Sequence, residues 1–265
     1  MLLGFDSYNI LTTLIICFAV QALFFLFAAS FRTDKVTDLS YSLSFAILSI
    51  FLVLWNRAFS PVQILAAALV VVWAGRLGAY LLSRILKIGK DARFDDKRGN
   101  FLVFLRFWVI QALAVWVVML PVTVLLSLPS TAPLGAVSLA GAAMWAIGFA
   151  IEAASDAQKY AFRNDPKNKG SWIQSGLWKY SRHPNYFGEV ILWWGLFVLA
   201  LPSLPASLLF AVVGPIAITL LLLFVSGIPL LEKSADEKHG KDPEYQAYKG
   251  RTSIFVPLPP RGKRR

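Results

Sequence analysis

The 265-residue chain is 57% hydrophobic and only 15% charged, with a mean hydropathy of +0.61. These values exclude an ordinary soluble domain and indicate a polytopic membrane protein whose first partner is the lipid bilayer. The net charge of +11 would suggest nucleic acid in a soluble protein. Here the cations sit in loops between apolar runs, so membrane topology explains them first and no nucleic-acid partner is expected.

A span needs about 20 mostly apolar residues. Seven segments meet that requirement: Tyr8–Phe31, Asp38–Phe59, Val62–Arg84, Phe101–Leu128, Leu134–Asp156, Tyr186–Leu201 and Ala206–Leu231. The first has no basic stretch before it and is long, so it reads as a retained helix rather than a cleaved signal. The sixth is short, which points to a tilt or to an extension by the loop before it. Cys17 is the only cysteine and lies in the first run, so no intrachain disulfide or cysteine-based metal site is expected. Two histidines, His183 and His239, argue against a multi-histidine metal centre.

The loops divide by charge. Pro129–Pro133 and Pro202–Pro205 hold no Lys or Arg, whereas Arg84–Arg98 holds six, Lys159–Arg182 six and the tail from Lys233 nine. The positive-inside rule then puts the N-terminus outside and the tail in the cytoplasm, and seven spans require the same. The fold class expected is therefore an all-α integral membrane protein with about seven transmembrane helices. It reads as one domain over 1–265. The tail changes character after Leu231, with a short amphipathic helix expected over Glu232–His239, and Pro257, Pro259 and Pro260 ending regular structure.

Chemistry-bearing residues then follow along the chain. Asp38 and Tyr41, three apart at the start of the second span, offer a carboxyl beside a phenol that could polarise a carbonyl. Asp38 reads equally as a helix-dipole charge. On the third span, Arg76 and Arg84 flank Tyr80 at helical spacing. Arg84 is placed to snorkel, while Arg76 is deeper. The loop after it adds Arg93, Lys97, Arg98 and Asn100, which taken alone read as solvated positive-inside charge, while Arg98 together with Arg84, Arg163 and Arg182 would favour a phosphate-rich cofactor.

The end of the fifth span puts Glu152, Asp156, Lys159 and Arg163 on one helical face. That stripe is either a set of interfacial salt bridges or a ligand-facing ladder, because ionisable groups in a membrane segment are functional candidates. As a ladder, Glu152 and Asp156 would accept from ribose hydroxyls or a carboxamide, and Arg163 would bind phosphate.

The densest signal is the junction GLWKYSRHPNYFGEVILWWG, Gly176–Gly195. Within it Tyr180, Arg182, His183, Asn185, Tyr186 and Glu189 crowd against a membrane-grade helix. Gly176 permits a tight turn, Pro184 stiffens the helix start and Asn185 stands where an N-cap is expected. A helix N-terminus beside Arg182 and His183 suits a phosphate. Positive-inside anchoring and an interfacial aromatic would explain some of these residues but not Glu189. That carboxylate, one turn into an apolar helix, needs a partner or ligand. Glu232, Tyr245 and Tyr248 in the tail read either as a lid over a nucleotide or as an interfacial belt.

Three stretches together resemble the C-terminal region of steroid 5-alpha-reductases and their bacterial relatives. They are Glu152 through Arg163, GLWKYSRHPNYFGE, and EYQAYKGRTSIFVP, and the likeness covers roughly Ile151 to Leu258. The wider superfamily, with sterol C-14 reductases and isoprenylcysteine carboxyl methyltransferases, shares the junction. The resemblance implies NADPH held on the cytoplasmic side and a Δ4-3-oxo steroid or related lipid arriving from the bilayer, in a bacterial inner membrane or an ER-type membrane. It also implies that 1–150 lies mainly on the substrate side and that 151–258 binds the cofactor; no obligate protein partner is evident. Asp156 and Arg163 match its nucleotide-binding positions, Asn185 and Glu189 its nicotinamide end, and Arg76, Tyr80 and Arg84 fall near positions on its third span. The animal enzymes' Gln-Glu pair on the second span is missing, and Trp73 falls where their Tyr would stand, so Asp38 and Tyr41 are the expected acid. The resulting expectation is an NADPH-dependent reductase of a C=C bond conjugated to a ketone. The alternatives are an S-adenosylmethionine-dependent methyltransferase of a lipid or prenylcysteine carboxylate, and a non-catalytic transporter or lipid-binding scaffold.

Overall fold

Among the described residues, seven helices are long and apolar enough to cross a membrane, the number predicted by the hydropathy pattern. The computed structural model describes residues 6–89 and 99–262. The chain is 78% helical, with no β-strand among the described residues. The α-helices among the described residues are α1 (Ile10–Ser30), α2 (Thr37–Asn56), α3 (Pro61–Ile88), α4 (Phe101–Ser127), α5 (Ala136–Asn164), α6 (Pro184–Ala200), α7 (Val213–Leu220), α8 (Ile228–His239) and α9 (Pro243–Arg251). An all-helical architecture follows from the solvent. Hydrocarbon offers backbone N–H and C=O groups no partner, so each span must satisfy them internally. Side chains such as Leu23, Leu26 and Leu102 remain largely exposed, as expected of surfaces covered by lipid rather than water.

Several boundaries differ from the sequence expectation. α3 continues to Ile88, past Arg84, and α5 continues to Asn164, so the whole stripe from Glu152 to Arg163 lies on one helix. The seventh span is broken rather than continuous. It runs as a 3-10 segment at Ala206–Val212, then α7, then a π segment at Leu221–Val225, before α8 begins at Ile228. Pro229 has no N–H to donate to the carbonyl four residues back, so an α ladder cannot run through it. The Ser226 amide reaches back five residues to Leu221 instead, at 2.8 Å. A Cβ on Gly227 would lie 2.5 Å from the Leu222 carbonyl oxygen, so the break takes a glycine. The amphipathic tail helix therefore starts four residues before the expected Glu232. α9 was not anticipated, although Asp242 caps it through the Glu244 amide at 2.8 Å and Pro243 occupies its first turn.

The chain forms two compact units. The first is Met1–Gly141 with Leu196–Gly214, and the second is Ala142–Gly195 with Pro215–Arg265. In the first unit, Phe25, Ala28, Phe104 and Trp108 join α1 to α4 in an apolar cluster. Buried amides and hydroxyls there satisfy one another: Gln111 donates to Gln21 at 2.9 Å and to Ser40 at 3.0 Å, and Gln21 donates to Ser44 at 2.9 Å. Such pairing is what makes polar groups tolerable in an apolar bundle. In the second unit, α5 and α6 approach through Gly148 and Gly188. A Cβ on either would meet the other's carbonyl oxygen at 2.5 Å, so only hydrogen fits between the two backbones.

Candidate functional site

The junction is built onto α5. Gly176 takes φ +60, a left-handed conformation that glycine adopts without steric penalty, and opens a 3-10 turn over Gly176–Lys179. Gln158 accepts from the Leu177 amide at 2.9 Å, and the Trp178 indole donates to the Ser155 carbonyl at 3.0 Å. The Lys159 ammonium lies 4.5 Å over the Trp178 ring. The tail binds the junction from its other side. The Ser253 carbonyl accepts from the Arg182 amide at 2.8 Å, the Leu258 amide donates to Tyr180 at 3.1 Å, and the Ser181 hydroxyl donates to Phe255 at 2.7 Å. The Tyr248 hydroxyl donates to the Trp178 carbonyl at 2.8 Å.

α6 begins at Pro184, so Asn185 is its second residue and not its N-cap as the sequence suggested. Proline's fixed φ and missing N–H suit the first helical position, which moves the start two residues earlier, from Tyr186 to Pro184. The Asn185 amide instead donates to Asp156 at 3.3 Å, tying α6 to α5.

Glu232 is the centre of a charged cluster. It accepts from Arg182 at 2.9 Å and meets the His183 Nε2 at 2.8 Å, with the Lys249 ammonium 3.8 Å away. Arg182 also donates to the Lys249 carbonyl at 2.7 Å. Lys249 holds both oxygens of Asp236 at 2.6 Å, and the Tyr245 hydroxyl reaches Asp236 at 3.3 Å. Burial holds the His183 pKa below the ordinary histidine value, outweighing the opposing pull of Glu232, and the Lys159 and Arg182 cations add to the lowering. Burial, with Glu232 and Asp236 nearby, raises the Tyr245 phenol to about 12, and burial also raises Tyr248, so both stay neutral donors.

Beside this cluster lies a cavity of about 480 Å³, within the range of small-molecule sites. Lys159, Arg163, Arg182 and Lys238 give it a cationic wall, and Trp172, Trp178, Tyr245 and Tyr248 give it flat aromatic faces.

Of the residues singled out in the sequence, Lys159, Arg163, Arg182, His183, Glu232, Tyr245 and Tyr248 line this cavity. Tyr186 stacks on His183, with ring centroids 5.8 Å apart and 8° between planes. Glu152, Asp156 and Glu189 are buried, and each has a partner. A Cβ on Gly188 would come within 2.6 Å of the Glu152 amide nitrogen, which shows how closely Glu152 abuts α6. Tyr180 is exposed, with Lys179 5.8 Å over its ring. In the first unit, Arg84 donates to Asp38 at 2.7 Å, so the Asp38 carboxylate stands as an acceptor in an ion pair. Arg84 is thus an ion-pair partner and not simply a snorkelling cation. Tyr41 packs edge-on to Phe45, and the Arg76 guanidinium lies 5.6 Å over Tyr80. Arg93, Lys97 and Arg98 lie outside the described residues.

Sequence reasoning left Lys249, Asp236 and Trp172 without a role and gave Glu232 only a lid or belt. For Glu232 a signal existed. It ends an apolar run, and a carboxylate there demands a partner for the same reason that singled out Glu189. Lys249 and Asp236 read as ordinary polar tail residues, and nothing local distinguishes them. A family described as a protein of unknown function, DUF1295, matches residues 24–252. No curated protein and no solved structure matches the chain.

Proposed function

We propose that this chain, which belongs to the DUF1295 family, is an integral membrane enzyme that uses NADPH to reduce the C=C bond of an α,β-unsaturated ketone in a steroid or related lipid. The observation that supports this reading is the cavity at the junction, where cations stand beside aromatic faces. That pairing suits a ligand with both phosphates and planar rings. It agrees with the likeness of the junction and tail to the steroid 5-alpha-reductases.

In this reading Lys159, Arg163 and Lys238 hold phosphate charge. Asp156, tied to Asn185, and Glu152 orient hydroxyl or amide groups, and Asn185 and Glu189 take the amide end. Bound NADPH supplies a hydride to the β-carbon of the substrate. Tyr41 donates a hydrogen bond to the substrate carbonyl, stabilising charge as it develops on that oxygen, and Asp38 is held beside it by Arg84. Solvent would supply the proton that the α-carbon needs to balance the hydride and complete the reduction. The distribution of Lys and Arg among the loops supports an N-terminus outside and a tail in the cytoplasm. Reporter fusions at either end test this: an active periplasmic-type reporter on the tail reverses it.

The test of activity is the rate of NADPH oxidation by detergent-purified protein, with and without a Δ4-3-oxosteroid, beside Glu189→Gln. Steroid-dependent oxidation that disappears in the variant is the expected result. One observation favours a second reading. Glu232 neutralises Arg182, removing one of four cations that favour a phosphate-rich ligand. A methyltransferase using S-adenosylmethionine would need fewer of them. Calorimetric binding of S-adenosylhomocysteine, with none of NADPH, would replace the reductase with that enzyme.

A further inference from the structure

His183 is 4% exposed, stacked on Tyr186, and lines the cavity. Its two ring nitrogens differ in what they meet. Nε2 lies 2.8 Å from a Glu232 oxygen. Nδ1 is buried and has no hydrogen-bond partner. The second Glu232 oxygen accepts from Arg182 at 2.9 Å, and Lys249 stands 3.8 Å from it. A carboxylate placed between a guanidinium and an ammonium is an acceptor only, so the hydrogen shared with His183 belongs to the imidazole. In a neutral ring, a proton on Nε2 leaves a lone pair on Nδ1. The charged groups acting on the ring are Glu232, Lys159 and Arg182. The two cations and burial oppose a second proton on the ring, and Glu232 favours one.

We infer that Arg182 and Glu232 lock His183 in its Nε2–H tautomer, so that Nδ1 accepts a hydrogen bond from an N–H or O–H group of the ligand in this cavity. A bare phosphate or carboxylate is unsuited to that point, because two lone pairs would face each other. The junction next to the start of α6 is therefore a donor-reading position. Anionic groups of the ligand belong with Lys159, Arg163 and Lys238. In this arrangement His183 is a binding residue and Glu232 a positioning residue acting through it. The inference rests on the proposed function only for the identity of the ligand.

The chain has two histidines, which makes the tautomer directly readable. Protein labelled with [15N]histidine is examined by NMR in detergent near neutral pH, with His239→Gln assigning the signals. The expected spectrum gives His183 a pyrrole-type Nε2 and a pyridine-type Nδ1, and saturating NADPH shifts the Nδ1 resonance. In Glu232→Gln the two tautomers mix, and NADPH binds about tenfold more weakly, the size of one net hydrogen bond. The wild-type spectrum alone decides the tautomer should that variant fail to fold. A shift of Nδ1 by S-adenosylhomocysteine but not by NADPH keeps the lock and removes the reductase. A proton on Nδ1, a doubly protonated ring near neutral pH, or an Nδ1 resonance that neither probe moves overturns the inference.

Discussion

Glu232 illustrates how much one side chain decides at the membrane boundary. It satisfies Arg182 and His183 together, and neither of them has another carboxylate bonded to it among the described residues. Glu232→Ala leaves a half-buried guanidinium and a buried imidazole facing each other. The expected cost is roughly 3 kcal/mol, the scale for breaking a buried pair from one side, read as a lower unfolding midpoint in detergent. His183 itself makes stability depend on pH. Its pKa is depressed by burial in the folded state, so the unfolded chain takes up the proton first as pH falls. The stabilisation is present above the ordinary histidine value of about 6.5 and is lost as pH drops from there toward the folded value. Unfolding midpoints measured across that window are expected to fall for the wild type and to fall less for His183→Asn. An equal slope in both proteins would remove His183 from the account.

At the scale of elements, the contact between α5 and α6 fixes where the acidic residues stand. Gly148 and Gly188 let the two backbones touch, and Glu152 abuts Gly188. Gly188→Ala must push a methyl into the Gly148 carbonyl and the Glu152 amide, both backbone atoms that cannot rotate away. The helices separate, and the 3.3 Å bond between Asn185 and Asp156 is strained or lost. Overpacking of this kind costs about 1–3 kcal/mol. The expected phenotype is a modest fall in thermal stability with a larger loss of ligand binding, and calorimetry on the folded variant separates the two. The break before α8 works in the same local way. Gly227 and Pro229 end the membrane ladder and start a polar helix whose first turns present Glu232 and Asp236.

At the scale of the whole molecule, the tail completes the second unit. Residues 253–258 supply backbone partners to Tyr180, Ser181 and Arg182, and α9 supplies Lys249 and Tyr248. Removing everything after Arg251 takes away the bonds from Ser253, Phe255 and Leu258. Limited proteolysis is expected to cut the junction between Trp172 and Arg182 in the truncated protein and to spare it in the full chain. Equal protection in both would make the tail an accessory. The first unit depends less on such pairings from a distant segment. Its apolar cluster and its glutamine–serine network both come from α1, α2 and α4.

Local patterning was enough to read the number of spans, the all-helical class, the common helix for Glu152 through Arg163, the turn at Gly176 and the helix that follows it. Each depends on short-range patterning: apolar runs of sufficient length, a 3.6-residue period, or a glycine and proline at a turn. Tertiary structure decided who pairs with whom. Asp38 finds Arg84 across 46 residues, Asn185 finds Asp156 across 29, and His183 finds Glu232 across 49. A carboxylate at a membrane boundary announces that it needs a partner, because leaving it alone is costly. Which of several cations answers depends on how the helices pack, and local sequence holds no record of that.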